Sequence, residues 1–310
     1  MSPAQRRKKR AKQKAKRNGK NSYVKWLFIL LVPLLIFLLI TFQTRFWKSS
    51  AKTFLVICNE SGEVVISVFD PGLEKITNII IPKDTEVDVA RQLGRWKLGS
   101  VRELGENEDL EGRLLAETVV KYFKFPVSAW ADAPALGFAD GDLVGIIKAS
   151  LLPYKTNLGI GDRLKLGLFS LRIKNLKREN IDFSEGNILK KVTLIGGEEG
   201  YVLAGRLPNY IIALFSNPNI SSEGTTVVIL DATGKANTAE EIGEVFEVMG
   251  IKLANIKKEE ADDGDCEVRG KEKELLEEIA QVFSCKKLKT APEGNFDLEI
   301  KIGRDFPKRF

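Results

Sequence analysis

From Trp26 to Thr44 the chain reads WLFILLVPLLIFLLITFQT, nineteen residues without a charge. A helix of that length spans roughly 28 Å, about the hydrocarbon thickness of a bilayer. The run therefore predicts a transmembrane helix over 26–44. Trp26 and Trp47 flank it, where amphipathic rings prefer the interface, and Pro33 inside it is tolerated with a kink. Residues 1–25 carry eleven Lys/Arg and no acid. Such a flank keeps the N-terminus cytoplasmic and puts the chain beyond about residue 45 on the other side. A cleaved signal peptide is the competing reading, with SSA at 49–51 as its site. The length of the run, and Arg45 and Lys48 before that site, argue for an uncleaved anchor.

The net charge of +6 misleads, because removing the eleven tail cations leaves 37 basic residues against 42 acidic ones. The exported part is mildly acidic, whereas a nucleic-acid domain shows its basic face in folded structure. No nucleic-acid partner is expected; the tail reads as a solvated flank attracted to lipid headgroups, with RNA binding as the alternative. The chain has no histidine, which excludes Ser-His-Asp and Cys-His catalysis and histidine metal sites. Three scattered cysteines are too few for a zinc cage. Outside the cytoplasm Cys266 and Cys285 are the candidate disulfide, and Cys58, in an apolar strand, is expected to be a packed thiol.

Length allows about two domains. Strand signals open at Phe54–Ile57, followed by a hairpin of Val64–Phe69 and Ile76–Ile81 around the Asp70-Pro71-Gly72 turn. Leu114, Leu115, Thr118, Val119 and Phe123 fall on one helical face, and Leu164, Leu168 and Leu171 are spaced for a second amphipathic helix. The Pro/Asn/Ser/Gly cluster from Asn217 to Gly224 marks a domain boundary. Beyond it the pattern predicts a strand over 226–230 and a helix started by a Thr238/Glu241 capping box and ended at Gly250. A strand over 251–256, a short one near 266–268, a helix around Leu275–Phe283 and strands near 286–289 and 296–302 complete a small βαββαβ-like unit.

The stretch VFDPGLEKITNIIIPKDT, residues 68–85, resembles the LytR-CpsA-Psr (LCP) family, whose members typically read I-D-P, nine residues, then I-P-R-D-T. KLGS at 97–100 resembles the family's K-I-N-A stretch. The segment from Phe215 to Gly234 and the ending LEIKIGRDF resemble the family's LytR C-terminal domain. Asp231-Ala232-Thr233-Gly234 and Gly303-Arg304-Asp305 stand where that domain has N-G-T-G and G-x-D. The resemblance covers most of residues 52–310 and is weak over 130–155. It implies an LCP-like α/β sandwich domain over 52–215, a linker over 216–224 and a LytR C-terminal domain over 225–310. It also implies an extracytoplasmic, single-pass protein of the cell envelope. The partners implied are the lipid bilayer, and a cell-wall glycopolymer or a polyprenyl-pyrophosphate lipid.

Catalytic members of that family transfer glycopolymers from a polyprenyl pyrophosphate, using arginines on the pyrophosphate and aspartates on Mg²⁺. This chain departs from them. The metal-facing aspartate falls on Gly62, an arginine on Glu60, and the I-P-R-D-T arginine on Lys83, which keeps charge but loses the bidentate fork. Glu63, next to Gly62, points to the opposite strand face. Between Phe125 and Asn157 there is no arginine, only Lys148 and Lys155, where the family carries an Arg-rich segment. Lys83 and Asp84 are the catalytic candidates by resemblance, Lys83 and Lys97 the anion-binding ones. No metal site is expected, and Mg²⁺ enters only if transfer activity persists. The expectation is a binding or scaffolding protein of cell-wall biogenesis, with glycopolymer phosphotransferase as the alternative.

Overall fold

A computed structural model describes Pro3, Trp26, Leu27, Ile29 and residues 31–33, 43–194, 196–217, 220 and 224–310. The basic tail and most of the 26–44 run lie outside the described residues, as do five residues of the Asn217–Gly224 cluster. Among the described residues no helix is long and apolar enough to cross a membrane.

The first unit begins with β1 (Thr53–Cys58), β2 (Val64–Asp70), β3 (Lys75–Ile81), the short pair β4 (Glu86–Asp88) and β5 (Arg95–Lys97), then α1 (Leu98–Asn107) and α2 (Gly112–Phe123). It continues through β6 (Ala129–Asp132), α3 (Leu136–Asp140), α4 (Leu143–Leu151), α5 (Ile160–Arg172), β7 (Arg178–Asp182), the hairpin β8 (Leu189–Thr193) and β9 (Glu199–Leu203), and α6 (Asn209–Phe215). The main sheet has the order β6-β1-β2-β3-β7, antiparallel at its centre and parallel at both outer pairs. Asp70 makes the central hairpin turn by accepting from the Leu73 amide at 3.0 Å.

Strand alternation divides the core in two. Phe54, Val56, Val64, Ile66, Val68 and Ile79 face α1, α2 and a ring cluster of Phe123, Phe125, Phe183 and Phe215. Leu55, Ile57, Val65, Phe69 and Ile76 face Phe46, Trp47 and the α3–α5 side. The result is a three-layer α/β/α sandwich. Inside the sheet, Ser67 donates to Asn78 at 2.9 Å and Asn78 donates to Asn180 at 2.9 Å, a polar line through three strands in register.

The leucine spacing on α5 is helical, but the stripe points the other way from a core face. Leu168 and Leu171 are more than half exposed, while Asp162, Arg163, Leu166, Gly167 and Ser170 are buried. The reason is polar: Arg163 Nε donates to the Ala149 carbonyl at 2.9 Å and Ser170 Oγ to the Phe138 carbonyl at 2.6 Å. These bonds hold the polar side of the helix against α3 and α4.

Residues 43–52 lie along three helices. The fully buried Asp162 accepts the amides of Arg45, Phe46 and Trp47 through Oδ1 at 2.9–3.0 Å and that of Gly159 through Oδ2 at 3.2 Å. Lys52 caps the end of α6, donating to the Leu214 and Ser216 carbonyls at 2.9 Å.

The second unit comprises β10 (Thr226–Asp231), α7 (Thr238–Met249), β11 (Lys252–Lys258), β12 (Cys266–Gly270), α8 (Lys273–Val282), β13 (Lys286–Lys287), β14 (Leu298–Ile302) and α9 (Phe306–Arg309). Its sheet order is β11-β10-β14-β12-β13. Ala239, Ile242, Val245, Phe246 and Met249 of α7 are buried, and Gly250 ends the helix at φ +84°. The capping box does not form. Asn237 takes the N-cap place in a left-handed conformation, and Thr238 is buried as the first helical residue, leaving no side-chain cap. Cys266 and Cys285 are bonded. The units meet where Lys124 lies 3.5 Å from Glu244 and Gln92 donates to the Pro307 carbonyl at 2.8 Å. On α8, Lys48 donates to the Glu274 carbonyl at 3.1 Å and Gln281 to that of Arg45 at 3.1 Å.

Asp162→Ala strands buried amides without an acceptor, so a loss of about 3–5 kcal/mol is expected. Limited trypsin digestion then cleaves after Arg45 and Lys48 much faster than in the parent, with a lower Tm. Burial pushes the Glu278 carboxyl up to about 7, against the pull of Lys48. The folded state thus binds this proton more tightly than the unfolded chain, and stability falls as pH rises between the ordinary and raised values. Glu278→Gln removes that slope, gaining about 1–3 kcal/mol over the parent at about pH 8 and nothing below about pH 4, read from urea midpoints.

Candidate functional site

The corner that follows β3 is built from its turn. Ile81 is buried at the strand end, Pro82 opens the turn, and Thr85 closes it by donating through its amide (3.1 Å) and hydroxyl (2.7 Å) to the Pro82 carbonyl. Lys83 and Asp84, between them, are left pointing outward, Lys83 exposed and Asp84 half-buried. The carbonyls of Thr85 and Lys83 accept the amides of Leu98 and Gly99 at 2.8 and 2.9 Å. The first amides of α1 are therefore occupied by the chain itself and are not free for an anion.

Gly62 closes the turn from β1 to β2 at φ +85°, its amide donating to the Asn59 carbonyl at 3.0 Å. It lies against the Lys83 stem: a Cβ here would sit 3.6 Å from Lys83 Cβ and 3.9 Å from Gly99 Cα. A Cβ on Gly99 would sit 2.7 Å from Lys83 Cβ and 2.8 Å from the Gly62 carbonyl oxygen. The corner closes because Gly99 has no Cβ to meet Lys83, and position 62 takes its left-handed turn because it is glycine. The place of the resembling family's metal-facing aspartate is here a left-handed turn position with no side chain.

Lys97, at the start of α1, lies 3.3 Å from Asp84 and forms an ion pair with Glu198 from the β8–β9 turn. The Glu198 hydrogen bond, then that of Asp84, raises its pKa. An incoming anion has to displace two carboxylates from it. Glu198 was invisible in the sequence; the GGEEG run at 196–200 reads as a turn, and only the fold brings it over the corner. Among the described residues no carboxylate lies within ion-pair distance of Lys83.

One turn further along α1 is Arg102, a residue the sequence pattern did not single out. Its Nε donates to Asp132 at 2.9 Å, and its guanidinium lies over the Trp130 ring at 5.4 Å. Nη1 is 3.0 Å from Glu106 but buried and poorly aligned to donate to it. Lys155 donates to the same Glu106 at 2.6 Å. The available signal is an arginine on an otherwise apolar helical face, outside the 125–157 stretch. Cys58 is opposite Asp132 in the β1–β6 register, half-buried at the strand end and packed against the core there. Burial pushes its thiol up, with Arg102 pulling it down and Asp132 adding to the rise. These groups cluster at the carboxyl ends of two parallel strands, a common ligand position in parallel sheets.

Lys83, Asp84 and Lys97 thus share one corner, with Gly62 beneath it, while the Cys266–Cys285 pair belongs to the other sheet. Lys148 is exposed on α4, away from Lys155 at the Arg102 cluster. A divalent cation wants several oxygen ligands. Asp84 and Glu198 are taken by Lys97, and Asp132 and Glu106 by Arg102 and Lys155. No three of the described His, Cys, Asp or Glu residues converge. The described residues present do not fit Mg²⁺. Gly99→Ala drives a methyl into Lys83 and Gly62; it is expected to cost about 1–3 kcal/mol by overpacking, seen as a lower Tm.

No protein-family model and no curated protein matches the chain. Among solved structures it is similar to B. subtilis TagT, at 13% identity over 51% of this chain and 86% of that one, with a TM-score of 0.38. It is similar to B. subtilis TagV at 12% identity, covering 50% and 91% of the two chains, with a TM-score of 0.37. A third is the LytR-CPS2A-psr family protein YwtF (TagT) with bound octaprenyl pyrophosphate lipid, at 12% identity, 51% and 86% coverage and a TM-score of 0.37.

Proposed function

We propose that this is a membrane-anchored, extracytoplasmic protein of the cell envelope, LCP-like with a LytR C-terminal domain, that serves cell-wall biogenesis by binding or scaffolding, not by transfer. The motifs at 68–85, 97–100 and 298–306 support the family reading, and the 26–44 run supports the anchor. The observation that carries the non-catalytic reading is the charge matching at the corner. Asp84, Glu198, Asp132 and Glu106 each already face a lysine or arginine of this chain, and Gly62 stands where the resemblance implies a metal-facing aspartate.

The chemistry left is capture of an anion. Lys83 offers an uncommitted ammonium, and Lys97 joins it by exchanging a carboxylate for a phosphate oxygen. The ligand class that suits this is the pyrophosphate of a polyprenyl lipid or the phosphate of a cell-wall glycopolymer. A phosphotransferase remains the second reading, favoured by Arg102 and Lys155 at the strand ends beside Cys58.

Full-length chain in nanodiscs, given a polyprenyl pyrophosphate with and without Mg²⁺, separates the two. Binding without phosphate release is expected, weakened about tenfold in Lys83→Ala, as for loss of one charge-assisted hydrogen bond. Mg²⁺-dependent phosphate release that disappears in Lys83→Ala overturns the binding reading in favour of the enzyme.

A further inference from the structure

The outward stripes of α4 and α5 form one surface. On α4, Leu143, Val144, Ile147 and Leu151 fall within a single arc of the helix, and each is 49–65% exposed. On α5, Ile160, Leu168 and Leu171 do the same at 51–57% exposed, with Leu164 half-buried between them. Arg163 of α5 reaches the carbonyls of Ala149 and Leu152, while Gly167 sits against Ser150 and Ile146. The helices are therefore antiparallel. In each the stripe begins beside its contact residue, Ser150 or Gly167, and turns the same way from it. Antiparallel packing then places both stripes on the same side of the pair. Two helices of a folded unit thus share an apolar face that nothing among the described residues covers, larger than scattered surface leucines need.

The charge around this face is opposite in sign to the rest of the exported part. Residues 143–178 hold eight Lys/Arg and one acid, the buried Asp162, while the exposed Asp140 and Asp142 stand at the head of α4, one end of the face. Lys148, Lys165, Arg172 and Lys174 are exposed at the edges of the stripes, and Leu176 stands 98% exposed beyond them. Basic residues bordering an apolar helical stripe match an anionic lipid surface, where the stripe enters the acyl boundary and the cations meet headgroups. The position of the face selects the same occupant. Residues 45–47 are bonded to the first turn of α5 through Asp162, and the Gln43 carbonyl is 4.0 Å from where a Gly159 Cβ would lie. The apolar 26–44 run therefore ends within one helical turn of Ile160. An open cleft of about 640 Å³ beside this point carries Trp47, Leu168 and Phe169 with Lys165 and Arg172 on the α5 side, and Glu74 and Glu274 on the side away from the stripe.

We infer that the α4–α5 face rests in the surface of the bilayer that holds the anchor, and recognises anionic phospholipid. The inference rests on the anchored reading and adds a second, peripheral membrane contact that fixes how the body lies on the lipid.

The test uses the full-length chain carrying Cys58→Ser, with spin labels at Ile147→Cys, Leu168→Cys and, on α7 as control, Glu240→Cys. Each is reconstituted in vesicles of phosphatidylcholine mixed with phosphatidylglycerol. Relaxation by oxygen, which partitions into lipid, is compared with relaxation by a water-soluble nickel chelate. Oxygen is expected to dominate at 147 and 168 and the chelate at 240. Lys165→Glu with Arg172→Glu, or vesicles of phosphatidylcholine alone, should weaken that preference; each cation near an anionic surface is worth about fivefold in binding. Chelate dominance at 147 and 168, in chain that survives an alkaline carbonate wash, overturns the inference and leaves the anchor standing. Shielding from both agents means that protein covers the face and overturns it equally. Chain stripped from the vesicles by the wash defeats the anchor and the inference together.

Discussion

The Asp162 carboxylate holds the first unit to the segment that precedes it. A fully buried carboxylate surrounded by four backbone amides has its acceptor capacity used by groups that would otherwise lack partners. The same bonds seat Phe46 and Trp47 under the sheet, where Trp47 meets Phe169 at 5.0 Å. From there the chain reaches α6 through Lys52 and α8 through Lys48. One ten-residue stretch touches helices of both units, so both take their place from the point at which it begins.

The other controlling feature is local neutrality at the Lys83 corner. Lys97, Asp84 and Glu198 satisfy one another, as do Arg102, Asp132, Glu106 and Lys155. The pairs of Lys97 are solvent-exposed and add little to stability. Their effect is on ligands, because an anion or a cation entering here competes with an internal partner. Lys83 is set apart by Gly99, whose missing Cβ lets its stem lie flat on the turn. The corner is a tight strand-to-helix turn first, and the uncommitted Lys83 charge is displayed by that turn.

Much of this could be read from the residues. The 68–85 hairpin is local, so its turn chemistry and alternation declared it; α7 announced itself by five apolar positions and Gly250. What could not be read depended on partners distant in sequence. The outward direction of the Leu168/Leu171 stripe follows from Arg163 and Ser170 bonding to α3 and α4 residues, which outweighs the apolar period. Thr238 looked like a cap because a Thr three residues before a Glu fits the pattern; the left-handed Asn237 ahead of it decided otherwise. Glu198 and Arg102 reach the site from 101 and 30 residues away from their partners, and no local pattern encodes that.

The polar line Ser67–Asn78–Asn180 bears on how the sheet is assembled. β2 and β3 can zip together from their own turn, but β7 arrives from about a hundred residues downstream and docks parallel, without a hairpin to set its alignment. Its burial pattern is shallow, so hydrophobicity alone distinguishes poorly between neighbouring alignments. A buried amide on β3 that finds its partner at one position only acts as a detent: strand sliding by a residue breaks the bond and turns Ile181 toward water. The edge that closes the sheet last is thus indexed by a side chain already fixed in the part that forms first.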